Sequence, residues 1–258
     1  MGAPYAGIMA QEVYRPMKKN LLRILVLALS IAFIYMFLNI DVTTRKGIDY
    51  NVSTIKIPLY LKALDFIDRH YNYVQLTKNI IDGSKDEQEK ALRIYIWVGM
   101  NIKKNPAGMP VVDDHPLNIV IRGYGVEDQF EDVFTILCTY AGLEAFYEEF
   151  QNSQGRKYGI SFVKVSNKWR PFSTYYNVHV EKDGGLASID DIMADHSLLA
   201  SFAARIPNFE SKTFLAKIKT MKFCADSMRT KGQSPLGRLA YYLTHMIRTE
   251  NPSKQKQE

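Results

Sequence analysis

RGYGVEDQF, residues 122–130, sets two glycines directly ahead of an amphipathic run. Val126, Phe130, Val133, Phe134, Leu137 and Ala141 recur at three- and four-residue steps, which predicts a helix, and Gly142 supplies its C-terminal stop. A glycine-punctuated loop that opens a helix is how many enzymes present a nucleophile, because the positive end of the helix dipole stabilises an anion. The residue at this mouth is Glu127, followed by Asp128 and Gln129, and not serine or cysteine. The stretch therefore poses a choice between an active site and the shell of one.

Working outward, the pattern upstream is helical. Leu61, Leu64, Ile67, Tyr71 and Val74 form one stripe, and Asp82-Gly83 ends it. Ser84 followed by Glu87 has the spacing of a capping box. The helix it opens would bury Ala91, Leu92, Ile94, Tyr95, Val98 and Ile102, with Trp97 as a packing residue. Residues 104–121, with Pro106, Pro110 and Pro116, read as a loop. Beyond Gly142 the period shortens to two. Segments 143–150, 158–165, 169–173 and 175–181 read as strands of an antiparallel sheet, with turns at Asn152–Gly155, Ser166–Lys168 and Asp183-Gly184. Ile189–Met193 starts another helix, and Leu236, Leu239, Leu243 and Met246 mark a last one before a polar tail. The class is α+β: helices first, then an antiparallel sheet.

Composition bounds the setting. Residues 24–40, ILVLALSIAFIYMFLNI, carry no charge. With Leu21 and Leu22 they reach roughly 20 residues, enough to cross a bilayer. Arg15, Lys18, Lys19 and Arg23 precede the run; Asp41, Arg45 and Lys46 follow, a bias that puts the N-terminus in the cytoplasm. A cleaved signal peptide fits less well, since no A-x-A-like site follows, and MGAPYA lacks the Ser/Thr of a myristoylation signal. The expected organisation is a cytoplasmic segment 1–20, an anchor 21–40, a polar tether 41–56, a domain 57–200 on the far side of the membrane, and a basic helical segment 201–258. That last segment holds 11 Lys and Arg against 4 Asp and Glu, while the first 200 residues sum to −1. Cys138 and Cys224 make no disulfide framework, and whether they pair is left open. His115, in DHPLN, could be a ligand or base, but a loop histidine before proline is more often structural; His70, His196 and His245 have no Cys or His partners at metal-ligand spacing, so neither metal nor cofactor is expected.

The order of elements resembles the transglutaminase-like superfamily, more narrowly the bacterial branch found beside exopolysaccharide and capsule synthesis genes. DHPLNIVIRGYGVEDQF, AGLEA, KVSNKWRPF and KDGGLASIDDI carry the resemblance over about residues 57–195. It implies a papain-like fold whose Cys–His–Asp triad sets cysteine at a helix N-terminus. The family's cysteine follows the G-x-G-x step, where this chain has Glu127. The family's histidine lies eleven residues before a strand tryptophan, which from Trp169 lands on Tyr158; the aspartate four residues after it lands on Ser173. A phenol with an ordinary pKa near 10 is no base for a thiol, and serine cannot balance an imidazolium. The resemblance thus implies a retained groove, near Glu127, Asp128, Gln129, Tyr158, Trp169, Ser173 and Tyr175, without the triad.

Three readings follow. In the first, the chain is a membrane-anchored pseudoenzyme that binds a protein partner or an anionic polysaccharide through the old groove, as an accessory or scaffold in making or exporting a surface polysaccharide. In the second, the chemistry has moved, either to Glu127 and Asp128 acting on a glycan or to Cys138 with His179 and Asp190 or Asp191. Cys138 sits about 16 Å along the helix from Glu127 by helix rise, on its apolar side, which favours a buried and inert thiol. In the third, Lys212, Lys217, Lys219, Lys222, Arg229, Lys231, Arg238 and Arg248 attract anionic headgroups or an acidic polymer, the plain alternative being a solvated helical face. A nucleic-acid partner is not expected beyond a membrane.

Overall fold

A computed structural model describes residues 6–48, 51–111 and 115–223. The chain divides into two compact units, Met1–Lys46 with Ser53–Asp65, and Gly47–Val52 with Phe66–Glu258. In the first unit lie α1 (Ala6–Leu38), most of β1 (Asp41–Ile48) and of β2 (Asn51–Pro58), and the opening turns of α2 (Leu59–Ile80). Asn20–Leu38 is long and apolar enough to span a bilayer and none of it is buried in protein; a signal sequence has the same character. Its polar interruptions turn back onto their own helix: Ser30 Oγ donates to the Val26 carbonyl at 2.8 Å and Asn39 Nδ2 to the Tyr35 carbonyl at 2.8 Å. Residues 41–56, read from their polarity as a tether, instead pair as β1 and β2. Val42, Thr43, Ile55 and Ile57 give the segment its β-branched character, a signal the charged residues between them obscure.

The second unit adds α3 (Glu87–Asn101), β3 (Lys103–Lys104), α4 (Pro116–Arg122), β4 (Tyr124–Gly125), α5 (Glu127–Tyr140), β5 (Ala145–Gln151), β6 (Lys157–Val165), β7 (Lys168–Ser173), β8 (Val178–His179), β9 (Glu181–Lys182), β10 (Gly185–Leu186), α6 (Ile189–Ala194), a 3-10 turn over His196–Leu199, α7 (Ala200–Arg205) and α8 (Ser211–Thr220). Strands β5-β6-β7-β8 form one antiparallel sheet in that order. The two-residue hairpin between Val165 and Lys168 needs positive φ at both turn residues, and Ser166 (51°) and Asn167 (60°) supply it.

Strand alternation makes two cores from this sheet. Val163, Val165 and Phe172 pack with Ile94, Val98, Phe130, Phe134 and Leu137 of α3 and α5. Phe146, Phe150, Tyr158, Ile160 and Phe162 point the other way and pack with Ile192, Phe202, Phe214 and Ile218 of α6, α7 and α8. The sheet is thus covered on both faces. A domain edge at residue 200 would cut this second core, because α8 closes it: Phe150 and Phe214 have ring centroids 4.9 Å apart.

Several local expectations shift. In α2 the inward residues are Tyr73 and Thr77, whereas Leu61, Leu64, Ile67, Tyr71 and Val74 stay exposed. The α3 cap lies two residues later than Ser84: Asp86 accepts from Glu89 N at 2.8 Å, and Glu89 accepts in turn from Lys85 N at 2.9 Å. Residues 116–122, read as loop, form α4, because Pro116 at N1 starts a helix that Gly123 at φ 72° ends. Of the basic residues, Lys217 is not free: its Nζ pairs with Glu148 at 2.7 Å and donates to the Glu149 carbonyl. Lys212, Lys219 and Lys222 are exposed without an ion pair among the described residues. Cys224, Arg229, Lys231, Arg238, His245, Arg248 and the helix expected around Leu236–Met246 lie outside the described residues.

Truncating a fully buried aromatic in a packed core costs about 3–5 kcal/mol. Phe214→Ala should therefore destabilise the second unit by roughly that amount, read by urea unfolding of the purified chain through Trp169 fluorescence. A change below about 1 kcal/mol would mean that α8 is an appendage.

Candidate functional site

The mouth of α5 is built by three short pieces of backbone. Arg122 and Gly123 end α4, and β4 runs parallel to β3, pairing Lys103 with Tyr124 and Lys104 with Gly125. Gly125 allows a close approach, since a Cβ there would lie 3.3 Å from the Gln129 Cβ and 3.4 Å from the Ile119 Cγ2. Gln129 then turns back: its Oε1 accepts from Val126 N at 3.1 Å and from Arg122 Nη2 at 3.3 Å. Gln129 is thus a cap of the helix, buried, and not a groove residue.

Glu127 reaches across to the sheet. Its Oε1 accepts from Gly159 N at 2.8 Å and its Oε2 from the Tyr176 hydroxyl at 2.9 Å. Burial pushes its carboxyl pKa up; the two hydrogen bonds and the nearby Arg156 charge pull the other way. A cleft of about 380 Å³ opens beside it, lined by Asp128, Tyr147, Glu149, Lys157 and Gly159 among others. Tyr175 and Tyr176 flank the mouth with ring centroids 5.0 Å apart, and Lys104 Nζ stands 4.2 Å from the centroid of Tyr175.

One turn deeper on the same face is Glu131, fully buried among core residues. Its Oε2 accepts from Ser161 Oγ at 2.5 Å, and its Oε1 from the backbone N–H of Thr174 at 2.8 Å and of Tyr175 at 3.3 Å. Desolvation pushes its pKa up to about 7 against the pull of these donors. The strand makes room for it at Gly159, where a Cβ would lie 3.1 Å from the Glu131 Cγ. Motif and spacing do not single out Glu131, Gly159 or Tyr176. In the sequence Glu131 is the acid four residues after Glu127, next to Phe130 in the run that forms the packed helix.

Of the positions counted from Trp169, Tyr158 borders the cleft beside Glu127 and Ser173 does not. Tyr158 and Ser173 lie on the sheet's far side by strand alternation. The Tyr158 ring stacks 5.8 Å from Phe150 and its hydroxyl has no partner, while Ser173 Oγ donates to the Gly159 carbonyl at 3.4 Å. Trp169 also faces the second core, 5.2 Å from Phe146. The sheet residues beside Glu127 are Tyr147 and Glu149 of β5, Lys157 to Gly159 of β6, and Tyr176 after β7. The alternative set does not assemble either. Cys138 is fully buried, its thiol pKa pushed up by desolvation, and no hydrogen bond joins it to His179. His179 Nε2 is held by Glu181 at 2.8 Å, and Asp191 caps α6 through Ser188 and pairs with Lys182 at 2.9 Å. Asp190 is exposed in the first turn of α6. His115 is the N-cap of α4, its Nδ1 accepting from Leu117 N, and His70 Nδ1 meets the Tyr140 hydroxyl at 3.0 Å. Among the described residues no cluster of His, Cys, Asp and Glu has the geometry of a metal site.

The comparison with known families agrees with this architecture. Residues 74–172 match the model of the transglutaminase-like superfamily. The chain carries a transglutaminase-like domain. The matched stretch runs from α2 through β7 and contains the Glu127 mouth, Glu131 and Gly159. Similar solved structures include a candidate cysteine protease from Cytophaga hutchinsonii, at 16% identity and TM-score 0.38 over 48% of this chain and 46% of that one. Others are a TGase at 12% and 0.34, over 54% and 45%, and a candidate protease from Parabacteroides distasonis at 13% and 0.34, over 58% and 40%. The chain spans less than half the length of each. No curated protein matches it.

The buried carboxyl of the transglutaminase-like domain gives a signed pH dependence. A group with a raised native pKa favours the fold when protonated, so its contribution is full below the unfolded pKa near 4.5 and is lost as pH rises through about 7. The limiting slope is about 1.4 kcal/mol per pH unit. Glu127 acts with the same sign, so the difference between wild type and Glu131→Gln isolates Glu131. Urea unfolding between pH 5 and 8 should show wild type losing stability relative to Glu131→Gln. Glu131→Ala, which orphans three donors, should cost about 3 kcal/mol at pH 5, a cost that shrinks toward pH 8 as wild type loses the contribution of the protonated carboxyl. Parallel pH curves for wild type and the Gln variant would remove Glu131 from the account.

Proposed function

We propose that this chain is a membrane-anchored transglutaminase-like protein that does not catalyse acyl transfer and binds a partner at the mouth of α5. One observation carries the reading. The side chain at the helix mouth is a carboxylate with both oxygens engaged, one by the backbone of Gly159 on the facing strand, where even a Cβ would lie 3.1 Å from the Glu131 Cγ. A thiolate nucleophile and its base have no place in that arrangement. Asp128, Lys157, Tyr175 and Lys104 around the cleft offer mixed charge and aromatic surface, suited to a protein segment or an anionic polymer. The N-terminal helix supports membrane attachment. The charge bias along the sequence favours a cytoplasmic N-terminus with the domain on the far side of the membrane. The family resemblance, and no residue of this chain, suggests the periplasmic side of a bacterial inner membrane and an accessory or scaffold role in surface polysaccharide assembly.

A second reading has one observation in its favour. The raised carboxyl of Glu127, beside Asp128 in a cleft, has the character of a general acid acting on a glycan. Glu127→Gln separates the two, since it keeps the shape and removes the proton.

The purified full-length chain should show no amine incorporation into a glutamine substrate and no casein hydrolysis, with Glu127→Gln indistinguishable from wild type on polysaccharide substrates. Turnover lost in Glu127→Gln would establish the second reading. In membranes, cross-linked wild type should retain a specific partner that Glu127→Arg loses. An unchanged partner list would move the binding surface elsewhere. With Cys224→Ser, no thiol should react with a chromogenic disulfide reagent until the protein is unfolded, because Cys138 is enclosed.

A further inference from the structure

A second cleft, of about 450 Å³, lies away from the α5 mouth, between α3, β8 and α7. Its lining includes Tyr95, Asn177, His179, Glu181, Ser201 and Arg205. Tyr95 is 5% exposed and lines the cleft, and among the described residues no hydrogen bond engages its hydroxyl. The buried polar atom left without a partner at this wall is His179 Nδ1, and such atoms are nearly always satisfied. The Arg205 guanidinium is exposed and has no ion pair among the described residues, and the Asn177 carboxamide is exposed with no hydrogen bond. His179 is held at the wall by Glu181 at 2.8 Å and by the edge of the Tyr95 ring, with centroids 5.1 Å apart. The cleft therefore presents the Arg205 cation, a phenol donor, an amide that donates and accepts, and the Glu181 carboxylate as acceptor.

We propose that this cleft binds a polyhydroxylated carboxylate about the size of one hexuronic acid. The guanidinium takes the carboxylate in its planar fork, and Tyr95, Asn177 and Glu181 pair with hydroxyl groups. A simple anion leaves most of the cleft empty and Glu181 facing it. A neutral sugar leaves Arg205 unused. The site is independent of the α5 mouth: none of its lining residues is shared with the cleft beside Glu127.

The test is titration of the full-length chain in detergent, by calorimetry or ligand-observed NMR, with glucuronate, glucose, acetate and phosphate. Glucuronate should bind at one site, at least tenfold more tightly than glucose, acetate or phosphate. Arg205→Ala, at an exposed position that leaves the core intact, should reduce glucuronate affinity at least tenfold and leave glucose unchanged. Tyr95→Phe keeps the packing, removes only the hydroxyl, and should weaken both sugars about threefold to tenfold. Glu127→Arg should change neither. No glucuronate binding, or equal binding by wild type and Arg205→Ala, would overturn the assignment. Acetate or phosphate binding as tightly as glucuronate would also overturn it, since the cleft would then read charge alone.

Discussion

The carboxyl of Glu131 is the point at which helix and sheet are joined. It accepts one side-chain and two backbone donors from the sheet side, deep in a core that is otherwise apolar. Removing a carboxyl group from water is expensive, and the arrangement persists because every donor that points at it would be orphaned without it. The same contact fixes the depth of α5 against β6, and so decides where Glu127, one turn higher, meets the strand. Gly159 is the other half of the constraint: the helix can come this close only where the strand carries no side chain. The surface at the helix mouth is thereby set from below, by a group that never reaches solvent.

Much of this was written in local pattern. The stripe of α5 is strictly periodic and needs no tertiary help to be recognised, and the paired positive-φ turns announce the hairpins through Asn and Gly. Elements whose signal is spread between composition and context were less legible. The β1 and β2 strands hide among charged residues. The helix α4 hides behind three prolines, of which Pro116 proves to be its start. In α2 periodicity gave the helix but not its inward face, because Tyr73 and Thr77 point in where the apolar stripe does not.

At the site the gap was of a different kind. Counting along a strand fixes a residue's number but not its side, and a slip of one residue exchanges the two faces. Tyr158 and Gly159 are neighbours in sequence and belong to opposite cores. The count from Trp169 reached the right stretch of β6 and the wrong face of it. Tyr176 was beyond reach of any spacing argument, because its hydroxyl comes to Glu127 from a turn after the last long strand.

The two-sided sheet also bears on how the chain comes into being. Phe146, Phe150 and Phe162 stand on the face that α8 closes, so about fifty residues must be added after β6 before Phe214 reaches that face. Synthesis runs from the N-terminus, and the long apolar helix is made first. For the time it takes to complete the rest, a row of aromatic rings stands bare on a sheet whose other side is already packed. The nascent domain is most vulnerable to aggregation in that interval. A chain stopped short of Phe214 would remain in that state.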